Sequence, residues 1–388
     1  MTQPAEQFNL RRFLLSGSGW PYLLVPFIPI AIALELAHAS ASLIFVTSAL
    51  GVIPTAALMG RATEELAARA GPGIGGFLNV TFGNAPELII AFFALREGLL
   101  EVVKASLVGS ILGNVLLVMG AAMLVGGLKR ERQTFERTAA NTQSLMLLLA
   151  CVALIMPAIF ELVIGGSLPN PTDKAEQFPS DLEKMSFGVA IVLLGTYVAG
   201  LFFSLRTHKD LFNPEHAEED HVGEHWSVKK SVIALAIAGV AVGVMSEILV
   251  GSITEASESI GLSPFFVSII VVAIVGNAAE HWVAVFFAMK DKMDLSVNIA
   301  IGSSAQIALF VAPALVLISL FVAPVLVIAS FFLGPGPMPL VFNGFELGAI
   351  LLAVLIANAV ASEGESTWFE GVQLLAVYSV FAIAFFAA

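Results

Sequence analysis

The chain has 388 residues, 58% of them hydrophobic and only 12% charged, with a net charge of −12. A soluble domain carries roughly twice that charged fraction, and so acidic a chain offers no basic patch for nucleic acid. Its one cysteine, Cys151, sits in an apolar stretch and excludes an intrachain disulfide.

In chain order, residues 1–20 read as a short interfacial segment rather than a signal peptide. Arg11 and Arg12 precede only Phe-Leu-Leu before Ser-Gly-Ser-Gly, with no clear cleavage site. Apolar segments then follow at 22–38, 42–60, 73–95, 104–127, 140–164, 185–205, 230–252, 264–289, 295–321, 343–361 and 369–387. A membrane core requires ~20 apolar residues per helix. Strict alternation of polar and apolar residues is absent, which argues against a barrel. The expectation is an all-α integral membrane protein with eleven transmembrane helices.

The basic residues give an orientation. With the N-terminus in the cytoplasm, 14 of the 18 Lys and Arg residues fall inside, and only Arg96, Lys104, Lys174 and Lys184 fall outside. That bias favours N-inside. Short loops and the lack of a targeting extension suggest a prokaryotic plasma membrane.

The chain also resembles itself. A shift of 193 residues lays Gly83-Asn84-Ala85-Pro86-Glu87 on Gly276-Asn277-Ala278-Ala279-Glu280 and Gly109-Ser110 on Gly302-Ser303. Ten of 36 positions agree between 83–118 and 276–311, polar ones among them. Residues 1–41 then hold the N-terminal segment and first helix, 42–205 a first five-helix repeat and 230–388 a second. An odd number of helices inverts one repeat against the other, as in many secondary transporters. Between them, the linker 206–229 carries an acidic stretch, Asn213 to His225, with five acids and three histidines.

The chemistry concentrates where the repeats agree. Gly and Pro break a helix, and a break at membrane depth is tolerated only where it lines a cavity. Gly83 and Gly276 would then present freed carbonyl oxygens, which are hard ligands suited to Ca2+. Glu87 and Glu280 add carboxylates, and an acid at the midplane costs roughly 2.5–3.5 kcal/mol and is a functional candidate by default. Two approaching carboxylates repel each other, and either a dication or protons relieve the repulsion. One pair can hold Ca2+ or H+ but poorly both, which is the basis of an antiporter. Asn84 and Asn277 lie three residues before each glutamate, on the same helical face. Ser110, Asn114, Ser303, Ser304 and Gln306 supply further neutral oxygens, although Ser110 and Ser303 suit simple helix packing nearly as well. Glu64, Glu247 and Glu255 are accessory acids for which solvated helix ends or a structural hydrogen bond serve equally. His281 is placed for proton transfer or for a structural bond.

These segments resemble the paired signatures of the Ca2+/H+ antiporter (cation/proton exchanger) family of the Ca2+/cation antiporter superfamily. The resemblance rests on Gly-Asn-Ala-Pro-Glu at 83–87, Gly-Asn-Ala-Ala-Glu-His at 276–281, Gly109 to Asn114 and Gly302 to Pro313. It implies eleven spans and proton-driven export of cytosolic Ca2+ with no resident cofactor. It also implies Glu87 and Glu280 as the shared site for Ca2+ and H+, supported by Asn84, Asn277, Ser303 and Gln306. An exchanger coupled to Na+, or one for Mn2+ or another divalent cation, is the alternative, and a homo-oligomer stays open. A channel would need a continuous pore, and no His-Glu-x-x-His pattern suggests an enzyme. One departure is an apparent 11-residue tandem duplication, Ala312–Val322 and Ala323–Leu333, which blurs the boundaries of the ninth and tenth spans.

Overall fold

The computed structural model describes residues 19–169, 180–207, 226–319 and 338–388. The start of the N-terminal segment, the acidic stretch 213–225 and the second copy of the 11-residue duplication lie outside the described residues.

A 3-10 turn, Trp20–Leu24, leads into α1 (Phe27–Leu36), followed by α2 (Ala41–Gly83) and α3 (Ala85–Arg96). Next come α4 (Leu100–Gly127), α5 (Arg137–Ile164), α6 (Asp181–Thr207) and α7 (Val228–Ser259). Then α8 (Pro264–Gly276) and α9 (Ala278–Met289) meet at a 61° bend, followed by α10 (Met293–Ser319), α11 (Gly344–Glu363) and α12 (Trp368–Ala387). Two short strands, β1 (Gln133–Thr134) and β2 (Glu365–Ser366), pair antiparallel.

Among the described residues, eight helices are long and apolar enough to cross a membrane, and α8–α9 makes a ninth if counted as one bent span. The all-helical membrane architecture expected from the sequence is therefore present. The shortfall from eleven has physical causes. α1 is short because Pro26 interrupts it from the turn before. The expected second and third spans share one helical run, α2, of 43 residues. That run is not straight: a Cβ placed on Gly75 would overlap the carbonyl oxygen of Ala67. Eight residues of straight helix would hold the two ~12 Å apart, so the run folds back between them. The third span is completed by α3 beyond a break at Asn84.

Helix ends are fixed locally. Ser227 caps α7 by accepting from Lys230 N at 3.3 Å, and Asn343 with Glu346 and Thr367 with Glu370 form reciprocal capping boxes on α11 and α12. The centre of the bundle is α4 and α10, whose most apolar stretches are 78% and 72% buried. The corresponding figures for α6 and α12 are 17% and 22%, so these helices present their apolar faces outward, as a lipid-facing rim requires.

Contacts sort the loops into two ends. At one end Arg130 pairs with Asp291 at 2.9 Å, Arg132 with Glu365 at 2.8 Å, and β1 with β2. Trp226 N donates to Glu65 Oε2 at 2.9 Å, with Arg61 and Lys230 near the Trp226 ring. At the other end Ser42 meets Ser259, and Lys104 donates to the carbonyl of Val341 at 2.9 Å.

Candidate functional site

Both expected breaks are present, and they sit at the same residue of the repeat. Asn84 has φ −93° and ψ 14°, Asn277 has φ −102° and ψ 5°, and each stands between two helical pieces. At Asn84 the break follows from Pro86, which has no N–H to continue the ladder. The second copy has Ala279 there and bends all the same. Its backbone explains why: the Asn277 N–H turns to Val275 O, which strips Ala273 O of its helical partner. The Asn277 side chain replaces it, its Nδ2 donating to Ala273 O at 3.0 Å. An asparagine that caps its own break does the work proline does in the first copy.

Glu87 and Glu280 fall in the first turns of α3 and α9. The positive end of each short helix favours a carboxylate there, by about 0.3–1 kcal/mol. The two charges act on each other, and Glu64 acts on Glu280.

The breaks are held crosswise. Asn84, from the first half, donates to Gln306 Oε1 and accepts from Ser303 Oγ at 3.5 Å, both on α10. Asn277, from the second half, donates to Ser110 Oγ at 3.1 Å, and His281 Nε2 lies 3.0 Å from Asn114 Oδ1, both on α4. Ser303 also donates to Glu280 Oε2 at 3.3 Å. Ser304 donates to its own helix at Ala300 O, 2.9 Å away, and its Oγ also lies 3.5 Å from Ile111 O on α4. Both central helices loosen into π geometry here, at Gly113–Val118 and Ile307–Val311, a local form frequent at functional sites.

A crevice beside Glu87 is lined by Ser106, Ser110, Asn277 and the apolar Ile90 and Val272. It leaves about 10 Å3 for the centre of a water-sized sphere, about what one water needs. Glu87 Oε2 and Asn277 Oδ1 are buried without a hydrogen-bond partner. With the Ser110 hydroxyl they bring three hard oxygen donors to one crevice, the chemistry of a Ca2+ site. Among the described residues no three His, Cys, Asp or Glu side chains gather, so further ligands to a cation would be neutral oxygens.

Of the residues picked out from sequence, Glu87, Glu280, Asn84, Asn277, Ser110, Asn114, Ser303 and Gln306 come together. Of the accessory acids, Glu64 reaches them through its charge on Glu280, while Glu247 and Glu255 do not join them. Glu247 pairs with Arg96 at 2.7 Å, and Glu64 and Glu255 are exposed. Ser106, in the crevice wall, went unnoticed because its counterpart is Ile299 and the repeat gave no signal. A second buried cluster lies apart from the site: Lys104, 1% exposed, is bonded to Glu101, and Glu346 is fully buried nearby.

Two broken helices crossed at paired carboxylates, in a helical membrane bundle, define a cation-handling membrane protein. Comparison with known proteins agrees. The family model described as sodium/calcium exchanger protein matches residues 40–206 and again 230–387. The Ca(2+)/H(+) antiporter of Synechocystis sp. is 43% identical over 94% of this chain and 96% of that protein. The Ca(2+)/H(+) antiporter ChaA of Bacillus subtilis is 42% identical over 92% of this chain and 96% of its own length. The solved structure of native YfkE is 40% identical, with a TM-score of 0.77 over 95% of this chain and all of that one. The chain belongs to the Ca2+/H+ antiporter family, within the sodium/calcium exchanger superfamily.

Proposed function

We propose that this chain is a secondary antiporter that exports cytosolic Ca2+ in exchange for H+ by alternating access, with Glu87 and Glu280 as the shared site. The observation that carries the reading is the pair of carboxylates in the first turns of two broken helices, joined through Ser303, which meets both Glu280 and the Asn84 that precedes Glu87. Charge accounting supplies the coupling. Empty and ionised, the site holds two negative charges inside a membrane, which is expensive. One Ca2+ neutralises both, and so do two protons. The protein reorients readily in either loaded form and poorly when empty, so each ion's passage is tied to the other's. Asn84, Asn277, Ser110, Ser303 and Gln306 complete the oxygen shell around Ca2+, and the carbonyls freed at Gly83 and Gly276 lie beside it.

The same reading takes eleven spans: a first helix, then five-helix repeats of opposite topology at 42–205 and 230–388. Its supports are the double match of the family model, the breaks at Asn84 and Asn277, and the π segments at corresponding places in the two halves, which end 193 residues apart. Eleven spans with the N-terminus inside also place every loop contact described above between loops of one side. The basic end is then cytoplasmic and the Ser42 end external, in a prokaryotic plasma membrane.

The test is reconstitution in vesicles under an imposed pH gradient, with Ca2+ uptake and internal pH followed together. Opposed Ca2+ and H+ movements, both stopped by Glu87→Gln and by Glu280→Gln, are expected. Ca2+ flux without proton counterflow, or only with Na+ supplied, would overturn the assignment.

A further inference from the structure

The central helix α10 carries a polar stripe that runs from the site at Gln306 back to the start of the helix. Asp294, Asn298, Gly302 and Gln306 follow one another at intervals of four, so they share one face from the cytoplasmic end of α10 up to the site. Asp294 and Asn298 are exposed, Gly302 is buried and Gln306 is part-buried against Asn84. Asn298 lies five residues inside the helix start, ~7.5 Å along its axis. A carboxamide exposed there suits contact with water better than contact with lipid. From α5, Gln143 reaches this stripe and donates to Asn298 Oδ1. Its own Oε1 is buried without a partner and lies 3.4 Å from where a Cβ on Gly302 would stand. Directly beyond Gly302, Ser303 bonds Glu280.

The counterpart stripe on α4, shifted by 193 residues, is Glu101, Ala105, Gly109 and Gly113. It has no polar side chain past Glu101. Glu101 is bonded to the buried Lys104, and a Cβ on Gly109 would collide with the carbonyl of Ile269. The stripe on α10 is polar; its counterpart on α4 is apolar beyond Glu101 and closely packed at Gly109. Repeat symmetry alone would have made them alike, so the amides on α10 and α5 answer to something on their own side.

We propose that Gln143 and Asn298 form a transient divalent-cation relay on the cytoplasmic approach, between Asp294 at the mouth and Glu280 with Ser303 at the site. The proposal rests on the exchange reading above. The amide oxygens of Gln143 and Asn298 replace part of the hydration shell of Ca2+ as it passes Gly302, where the missing side chain leaves room. Neutral ligands suit a relay because they hold a divalent cation weakly enough to release it. Glu64, whose charge acts on Glu280, adds attraction from the same side.

The experiment compares Ca2+ uptake from the two faces, in vesicles with the cytoplasmic face outward and in vesicles with it inward. The variants are Asn298→Leu, Gln143→Leu and Asn298→Asp. The Leu variants should raise KM for Ca2+ at the cytoplasmic face about tenfold and change it less than about twofold at the outer face, a loss typical of a supporting metal-site group. Asn298→Asp, which keeps the oxygen, should match or fall below the wild-type KM. An unchanged cytoplasmic KM, or an equal rise at both faces, overturns the relay. Wild-type protein that fails to exchange Ca2+ for H+ at all overturns the exchange reading first.

Discussion

The two broken helices carry nearly the same five residues, yet the protein holds them differently. The break at Asn84 is built into the backbone by Pro86, and Glu87 beyond it is buried with one oxygen unpartnered. The break at Asn277 depends on a side-chain amide, and Glu280 beyond it is part-exposed and bonded to Ser303. The approaches differ in the same sense, closely packed on the α4 side and polar on the α10 side. A duplicated motif fixes where the carboxylates stand; its surroundings make the two unequal.

The comparison can be broken most strongly at the carboxylates. Glu87→Gln and Glu280→Gln should each cut exchange by more than about a hundredfold, beyond the range for losing a supporting group. If one substitution leaves exchange intact, the two halves are not partners in one site. Next comes the packed approach. Lys104→Met strips Glu101 and buried Glu346 of their ammonium, and breaking such a buried pair costs about 3–5 kcal/mol. A clear fall in melting temperature in detergent is expected, and Lys104→Met with Glu101→Gln should recover part of it.

A smaller effect separates the two breaks themselves. Asn277→Ala leaves Ala273 O without a partner and should cost about 1–3 kcal/mol, whereas Asn84→Ala keeps a break that Pro86 already enforces. Adding Ala279→Pro to Asn277→Ala should recover stability; failure to do so would show that the two breaks are not interchangeable. The smallest effect belongs to the Arg96–Glu247 ion pair, which is largely exposed. Glu247→Gln should change stability by less than about 1 kcal/mol, and a larger loss would mean that this contact holds its end of the bundle closed.

Much of the site was legible in the sequence because the repeat marked it. Two apolar stretches that agree at Asn, Glu and Ser positions agree for a chemical reason, and those residues do meet. What the sequence hid was partnership across helices. Asn277 facing Ser110, His281 facing Asn114 and Gln143 facing Asn298 join residues more than 150 positions apart. Charge sorting set Lys104 near the end of a span but could not show that it lies inside the protein, since burial of a lysine depends on carboxylates brought in by other helices. The spans were legible as apolar runs, and so was the reversal between 60 and 73; that helical hydrogen bonding continues through it was not.

The claim that Ca2+ and protons compete for one pair of carboxylates is tested most directly by proton release. Purified protein in weakly buffered detergent solution is titrated with Ca2+ while pH is recorded. Wild type should release protons as Ca2+ binds, and Glu87→Gln and Glu280→Gln should each bind less Ca2+ and release fewer protons. Saturable Ca2+ binding with no proton release at any starting pH would contradict the shared site.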